Sequence, residues 1–191
     1  MSRQACPKPS RLSIFGAKDN IQQGFDVEST IQPGDKLPEF ILSDARGKPA
    51  SSVDLLAKGP LLIILTLRAF QQRLGDFQAR GVTFVAVTPE QPDTSLTTAE
   101  KNELKFPVLT DDGLKLARKL RIVWRKPEEL VATLNTIGAD LEKRHGNDSA
   151  EMVIPTTLLV DEKGVVRNIF AEADWTKRLE PQEAVDWVNE L

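Results

Sequence analysis

The sequence predicts a single α/β domain built on a mixed sheet with helices on both faces. Three observations carry this. Leu61-Leu62-Ile63-Ile64-Leu65 and Val82-Thr83-Phe84-Val85-Ala86-Val87 are continuous apolar runs of strand length, as expected for strands buried on both faces of a parallel sheet. Between them Leu67, Phe70, Leu74 and Phe77 recur at helical spacing, so residues 67–80 read as an amphipathic helix closed by Gly81. Near the C-terminus, Thr156-Thr157-Leu158-Leu159-Val160 and Val165-Val166-Arg167-Asn168-Ile169-Phe170 flank the turn Asp161-Glu162-Lys163-Gly164 and read as a hairpin. Strands separated by a helix pair in parallel through a right-handed crossover, and the hairpin adds antiparallel strands to that sheet.

The remaining elements follow in order. Residues 1–30 are polar, proline-bearing and weakly periodic, and read as a loose arm ahead of a domain over 31–191. Ile31-Gln32-Pro33-Gly34-Asp35 is a turn, in which proline presets φ and glycine permits a positive one. Leu37 to Leu42 reads as a short strand, confined by Pro38 to an edge, and Asp44 to Lys48 as a second turn. Val53 to Leu56 suits a short helical piece ended by Lys58-Gly59-Pro60. Beyond the second core strand, Thr97 to Leu104 suits a helix and Phe106 to Leu109 an extended piece. A further helix starts near Asp111-Asp112 and ends by Arg118-Lys119, its charges complementing the macrodipole at both ends. Residues 122–150 read as irregular or partly helical, with a polar loop over 143–149. Pro181 marks the first turn of a closing helix with Ala184, Val185, Trp187, Val188 and Leu191 on its apolar face.

Composition narrows the function classes. The 191 residues are 40% hydrophobic and 28% charged with a formal net charge of −3, so no global field favours nucleic acid. The longest apolar run, Leu61 to Leu65, is far short of the roughly 20 residues of a membrane helix. Arg3, Lys8, Arg11 and Lys18 precede any acid and hint at a mitochondrial presequence, but Pro7 and Pro9 oppose the amphipathic helix such a segment needs. A cytoplasmic location is therefore expected. With one cysteine, Cys6, and one histidine, His145, neither an intrachain disulfide nor a Cys/His metal site can form, and no metal or cofactor is expected.

Few residues carry chemistry. Asp111-Asp112 is an adjacent carboxylate pair at a helix start, best read as a cap. His145 sits in a polar turn, and Trp124, Trp175 and Trp187 read as packing residues. Cys6, in Gln4-Ala5-Cys6-Pro7, has no helix N-terminus or fixed cation to lower its pKa. The order of elements fits a thioredoxin-like sheet best. In such folds the proline before the hairpin's first strand, here Pro155, is cis and faces the reactive thiol, so a cis Ile154-Pro155 bond is expected.

Six stretches, taken together and in order, resemble the peroxiredoxins of the alkyl hydroperoxide reductase/thiol-specific antioxidant family. They are Gly34 to Leu42, Gly59 to Ile63, Val85 to Glu90, Phe106 to Asp111, Ile154 to Asp161 with Gly164, and Thr176 to Pro181. The resemblance is nearest to a subgroup with a Trp-Cys-Pro-x-Cys segment after the first long core strand. Here the chain passes from Leu65-Thr66 directly to Leu67-Arg68-Ala69-Phe70, which is similar to the later half of the family's helix. The segment bearing the thiolate that attacks peroxide is missing. A strand-to-helix connection usually spans about 2 to 6 residues, and only Thr66 is available for it. Either Thr66 caps the helix tightly, or the strand's end or the helix's start must give way, exposing apolar surface.

The resemblance implies thiol-dependent reduction of hydrogen peroxide and alkyl hydroperoxides, an antioxidant activity that this chain lacks its thiolate to perform. Thr66, Pro155, Thr156 and Arg178 are what the resemblance leaves of the site wall. The alternatives are a residual peroxidase using Cys6, a non-enzymatic binding or regulatory module, and a chain too damaged to fold. Expected partners are a second copy or active relatives, with thioredoxin or glutathione as reductant only in an active protein. The excision itself reads as a skipped exon, a coding-sequence error or a degenerate paralogue.

Overall fold

The structure, a computed structural model, describes residues 24–44, 46–65, 70–90, 104–128, 131, 150–174 and 176–191. Cys6, the junction residues 66–69, residues 97–103 of the helix expected over 97–104, His145 with its loop and Trp175 lie outside the described residues. Seven strands form one sheet in the order β2-β1-β5-β4-β3-β8-β9. They are β1 (Ile41–Asp44), β2 (Pro49–Ser51), β3 (Leu61–Ile64), β4 (Thr83–Thr88), β5 (Val108–Thr110), β8 (Thr156–Val160) and β9 (Val166–Ala171). A separate ribbon pairs β6 (Val123–Arg125) with β7 (Glu151–Val153). The helices are α1 (Ser52–Leu56), α2 (Leu74–Gln78), α3 (Lys115–Lys119) and α4 (Pro181–Asn189).

The centre of the sheet is what the apolar runs predict. β3, β4 and β5 run parallel, with Ile63 opposite Val85 and Val87 opposite Leu109. On the other side of β3, β8 is antiparallel, with Ile63 opposite Leu158 and Ile64 opposite Thr157, and β9 continues the hairpin. All four residues of β3 are buried. Alternation divides the core into two layers. Leu61, Ile63, Leu65, Val85 and Val87 face Leu55, Leu114, Leu116 and Ile122, the layer under α1 and α3. Leu62, Ile64, Phe84, Ala86 and Val108 face Phe70, Leu74, Phe77, Ala184 and Val188, the layer under α2 and α4. Here Phe77 stacks on Phe84 at 5.7 Å, and Phe106 meets Phe84 edge-on at 4.6 Å.

Four expectations need correction. The strand expected over 37–42 is regular only from Ile41, preceded by an isolated bridge from Lys36 to Val165, because Pro38 has no N–H for a ladder. The turn at Asp44 to Lys48 leads into β2, a strand too short and too polar to announce itself. The irregular region 122–150 contributes β6, whose partner β7 lies far along the chain. The helix expected over 67–80 is, in its described part, a 3-10 turn (Phe70–Arg73) followed by α2, with no side chain capping at Arg73.

Local chemistry explains the other ends. Asp44 Oδ1 accepts from the amides of Arg46 and Lys48 and closes the β1–β2 turn. Ser51 caps α1 by accepting from Asp54 N at 3.0 Å. Pro181 opens α4 behind a reciprocal capping box between Glu180 and Glu183. Before β3, Gly59 has φ of 130°, and a Cβ there would collide with the Gly81 carbonyl. Glycine is required at that point for both reasons.

Candidate functional site

The carboxyl end of β3 is where the resemblance places the reactive segment, and its surroundings are built from β8 and the chain after β9. The ladder does not stop at Ile64: the Leu65 N–H donates to the Thr156 carbonyl at 2.9 Å, and Leu65 is buried. Hydrogen bonding to β8 therefore reaches Leu65, one residue past the end of β3, where the backbone bends. On the far side Phe70 is buried against Phe77 and Phe84. Whether Thr66 caps the helix lies outside the described residues; on their two sides the chain is bonded to β8 through Leu65 and resumes as a 3-10 turn from Phe70. Leu65, Phe70, Leu74 and Phe77 are all buried, so the described flanks expose no apolar surface.

Of the residues named for the site wall, Pro155 and Thr156 lie beside Leu65 and are buried. Thr156 Oγ1 donates to the Ile154 carbonyl at 2.9 Å, which commits its proton and leaves the oxygen as an acceptor. No peptide bond among the described residues is cis, so the cis Ile154-Pro155 bond expected from the fold is not observed. Trans is the lower-energy isomer for X-Pro by about 0.5–1 kcal/mol, and the extended entry into β8 accommodates it. Arg178 is exposed on the segment between β9 and α4, and its Nη1 donates to the Lys177 carbonyl at 2.6 Å. Thr66 lies outside the described residues.

That segment is closely built. The Glu172 N–H donates to the Pro155 carbonyl, tying the exit of β9 to the entry of β8. The buried Asp174 accepts from Thr176 N at 3.1 Å and Thr176 Oγ1 at 2.6 Å, and Glu172 pairs with Lys177 at 3.3 Å. The helix expected to start near Asp111-Asp112 starts at Lys115 behind a 3-10 turn (Asp112–Leu114), and Asp111 serves it from outside, its two carboxylate oxygens accepting from Leu116 N and Ala117 N, each at 2.9 Å. Among the described residues no group of three or more His, Cys, Asp or Glu side chains could hold a metal.

The reading from sequence missed a row of hydroxyls at this same end of the sheet. Thr157, Thr88 and Thr110 all belong to the face that carries Ile64, Ala86 and Val108, by the register of their strands. Thr88 is directly opposite Thr110, and Ser43 of β1 is opposite Thr110 on its other side. The three threonines are buried and Ser43 is exposed. The signal was available as a threonine closing each of two apolar strands at matching parity.

With this geometry in place, the similarities to known proteins are informative. The sequence matches the AhpC/TSA family over residues 33–169. A Mycobacterium tuberculosis protein named "Putative peroxiredoxin" is 27% identical over 146 residues, covering 71% of this chain and 82% of the relative. Chloroplastic peroxiredoxin Q of Populus jackii is 22% identical over 200 residues, covering 94% of this chain and 81% of the relative. Among solved structures, peroxidoxin BcpB of M. tuberculosis superposes with a TM-score of 0.64 at 17% identity, over 84% of this chain and 98% of that one. PrxQ of Xylella fastidiosa does so with a TM-score of 0.66 at 13% identity, over 85% and 98%. The mixed sheet and its two helical layers are thus those of a peroxiredoxin-like thioredoxin fold, and the chain belongs to the AhpC/TSA family.

Proposed function

We propose that this chain is a peroxiredoxin that has lost its peroxidase chemistry and acts without turnover, as a binding or regulatory partner of active relatives. One observation carries the reading: no cysteine stands anywhere between the end of β3 and α2, and the sole cysteine of the sequence, Cys6, lies in the N-terminal arm. The family reaction begins when a thiolate sulfur attacks a peroxide oxygen; the O–O bond breaks, the sulfur becomes a sulfenic acid and an alcohol or water leaves. Two further thiols then reduce the sulfenic acid, releasing water and a disulfide. A threonine hydroxyl cannot stand in, because an alcohol oxygen is a weak nucleophile and has no corresponding oxidised state to recycle.

Partner choice follows the same reading. A second copy or an active relative is the expected associate, and the cytoplasm the expected compartment. No described helix is long and apolar enough to cross a membrane. Thioredoxin or glutathione would engage the chain only if Cys6 were active. Stopped-flow consumption of hydrogen peroxide, with thioredoxin or glutathione as reductant, tests the proposal. The expected rate equals that of a Cys6→Ser control; turnover that the substitution abolishes would instead establish Cys6 as a peroxidatic thiol.

A further inference from the structure

Thr110 Oγ1 is buried and makes no hydrogen bond among the described residues. A buried hydroxyl without a partner carries a desolvation penalty, so native structures satisfy such groups, commonly with an internal molecule. Its neighbourhood suits one. Thr88, directly opposite in the parallel ladder, points to the same face, and its Oγ1 accepts from Glu90 N at 3.2 Å, which leaves its proton to donate elsewhere. Ser43, opposite Thr110 across β1, is exposed and adds a third hydroxyl on the solvent side. We propose that Ser43, Thr110 and Thr88, at the carboxyl end of β4 and β5, form a binding site for one small neutral hydroxylic molecule, filled by water in the resting protein.

The chemistry fixes the ligand class. Each hydroxyl both donates and accepts, which complements a molecule that does the same. None is charged, and the next residue, Asp111, has both oxygens committed to backbone amides, so neither an anion nor a cation finds a counter-charge in the row. An internal water needs two to four polar partners, and the row supplies three. The place is also the usual one: open α/β sheets bind ligands beyond the carboxyl ends of their parallel strands.

Full-length protein crystallised without and with ethylene glycol tests the site, together with the variants Thr110→Val, Thr88→Val and their combination. Density within hydrogen-bonding distance of both Thr110 Oγ1 and Thr88 Oγ1 is expected. A water replaced by glycol identifies a site open to alcohols; a water that persists identifies water as its sole occupant. Thr110→Val is expected to lower the folding equilibrium constant about fivefold, and the double variant to depart from additivity, because both hydroxyls share one molecule. Empty density, or a Thr110→Val protein as stable as the parent with additive effects, overturns the proposal. Thr110→Ser keeps the hydroxyl and should keep both the density and the coupling to Thr88.

Discussion

Leu65 and Thr156 are joined backbone to backbone at 2.9 Å, one residue beyond the end of β3 and at the first residue of β8. This bond ties the residue before the junction to β8. It keeps the described end of β3 tied to β8 whatever the chemistry of the chain that follows.

The first expectation is therefore cooperative folding. Urea unfolding followed by far-ultraviolet circular dichroism and by tryptophan fluorescence should give coincident transitions. Leu65→Ala, at a site 2% exposed, should cost about 3 kcal/mol by removing buried methyls and leaving a cavity. A non-cooperative chain that binds the dye ANS would show that the shortened junction has cost the tertiary packing.

Much of this architecture is legible from patterns because its determinants are local. β3, β4 and the β8–β9 hairpin announce themselves through apolar runs and the Asp161–Gly164 turn, and α4 through Pro181. β6 and β7 do not, since three-residue strands such as Val123–Arg125 owe their state to a partner more than twenty positions away. The start of α2 is misread for a related reason. Phe70, Leu74 and Phe77 keep helical spacing whether the first turn is α or 3-10, and periodicity alone cannot tell the two apart. At the site, the absent cysteine is visible by composition, whereas the Thr88–Thr110 pairing needs the register of two strands.

Gly59 offers a test of how β3 is launched. Its φ of 130° is unfavourable for any residue with a side chain, and a Cβ would meet the backbone carbonyl of Gly81, which cannot swing aside as a side chain could. Gly59→Ala should cost at least about 2 kcal/mol, read as a lower urea midpoint with unchanged m-value. Gly75→Ala, where no atom lies within 4 Å of the added Cβ, should be neutral or slightly stabilising.

Asp111 holds α3 against the end of β5. Removing its carboxylate leaves the amides of Leu116 and Ala117 buried without acceptors. Asp111→Ala should thus cost about 2 to 4 kcal/mol, more than an exposed cap would. Asp111→Asn retains one acceptor oxygen and should recover part of the loss. Asp112→Ala, at an exposed neighbour, should change the urea midpoint little.

Asp161 gives the fold a pH dependence whose sign can be stated. Burial pushes its carboxyl up, but the Val165 amide, the Arg167 guanidinium and the Lys163 amide together outweigh this, and the net shift is downward from 3.8. The contacts are explicit: Oδ1 accepts from Val165 N at 2.8 Å and Lys163 N at 2.9 Å, and Oδ2 pairs with Arg167 Nη2 at 2.7 Å. A carboxylate that is more acidic folded than unfolded binds fewer protons in the native state. Its contribution to stability is therefore full above the unfolded pKa and is lost as pH falls through the folded one. Asp161→Asn should lower the urea midpoint at pH 7, since the charge opposite Arg167 disappears while an acceptor oxygen stays. As pH falls below the ordinary carboxylate range the parent carboxyl is itself protonated, and the two proteins should converge. A gap between their midpoints that stays constant from pH 7 to pH 2.5 would mean that the turn is held by the neutral acceptor and the β8–β9 ladder, with the Asp161–Arg167 pair contributing nothing.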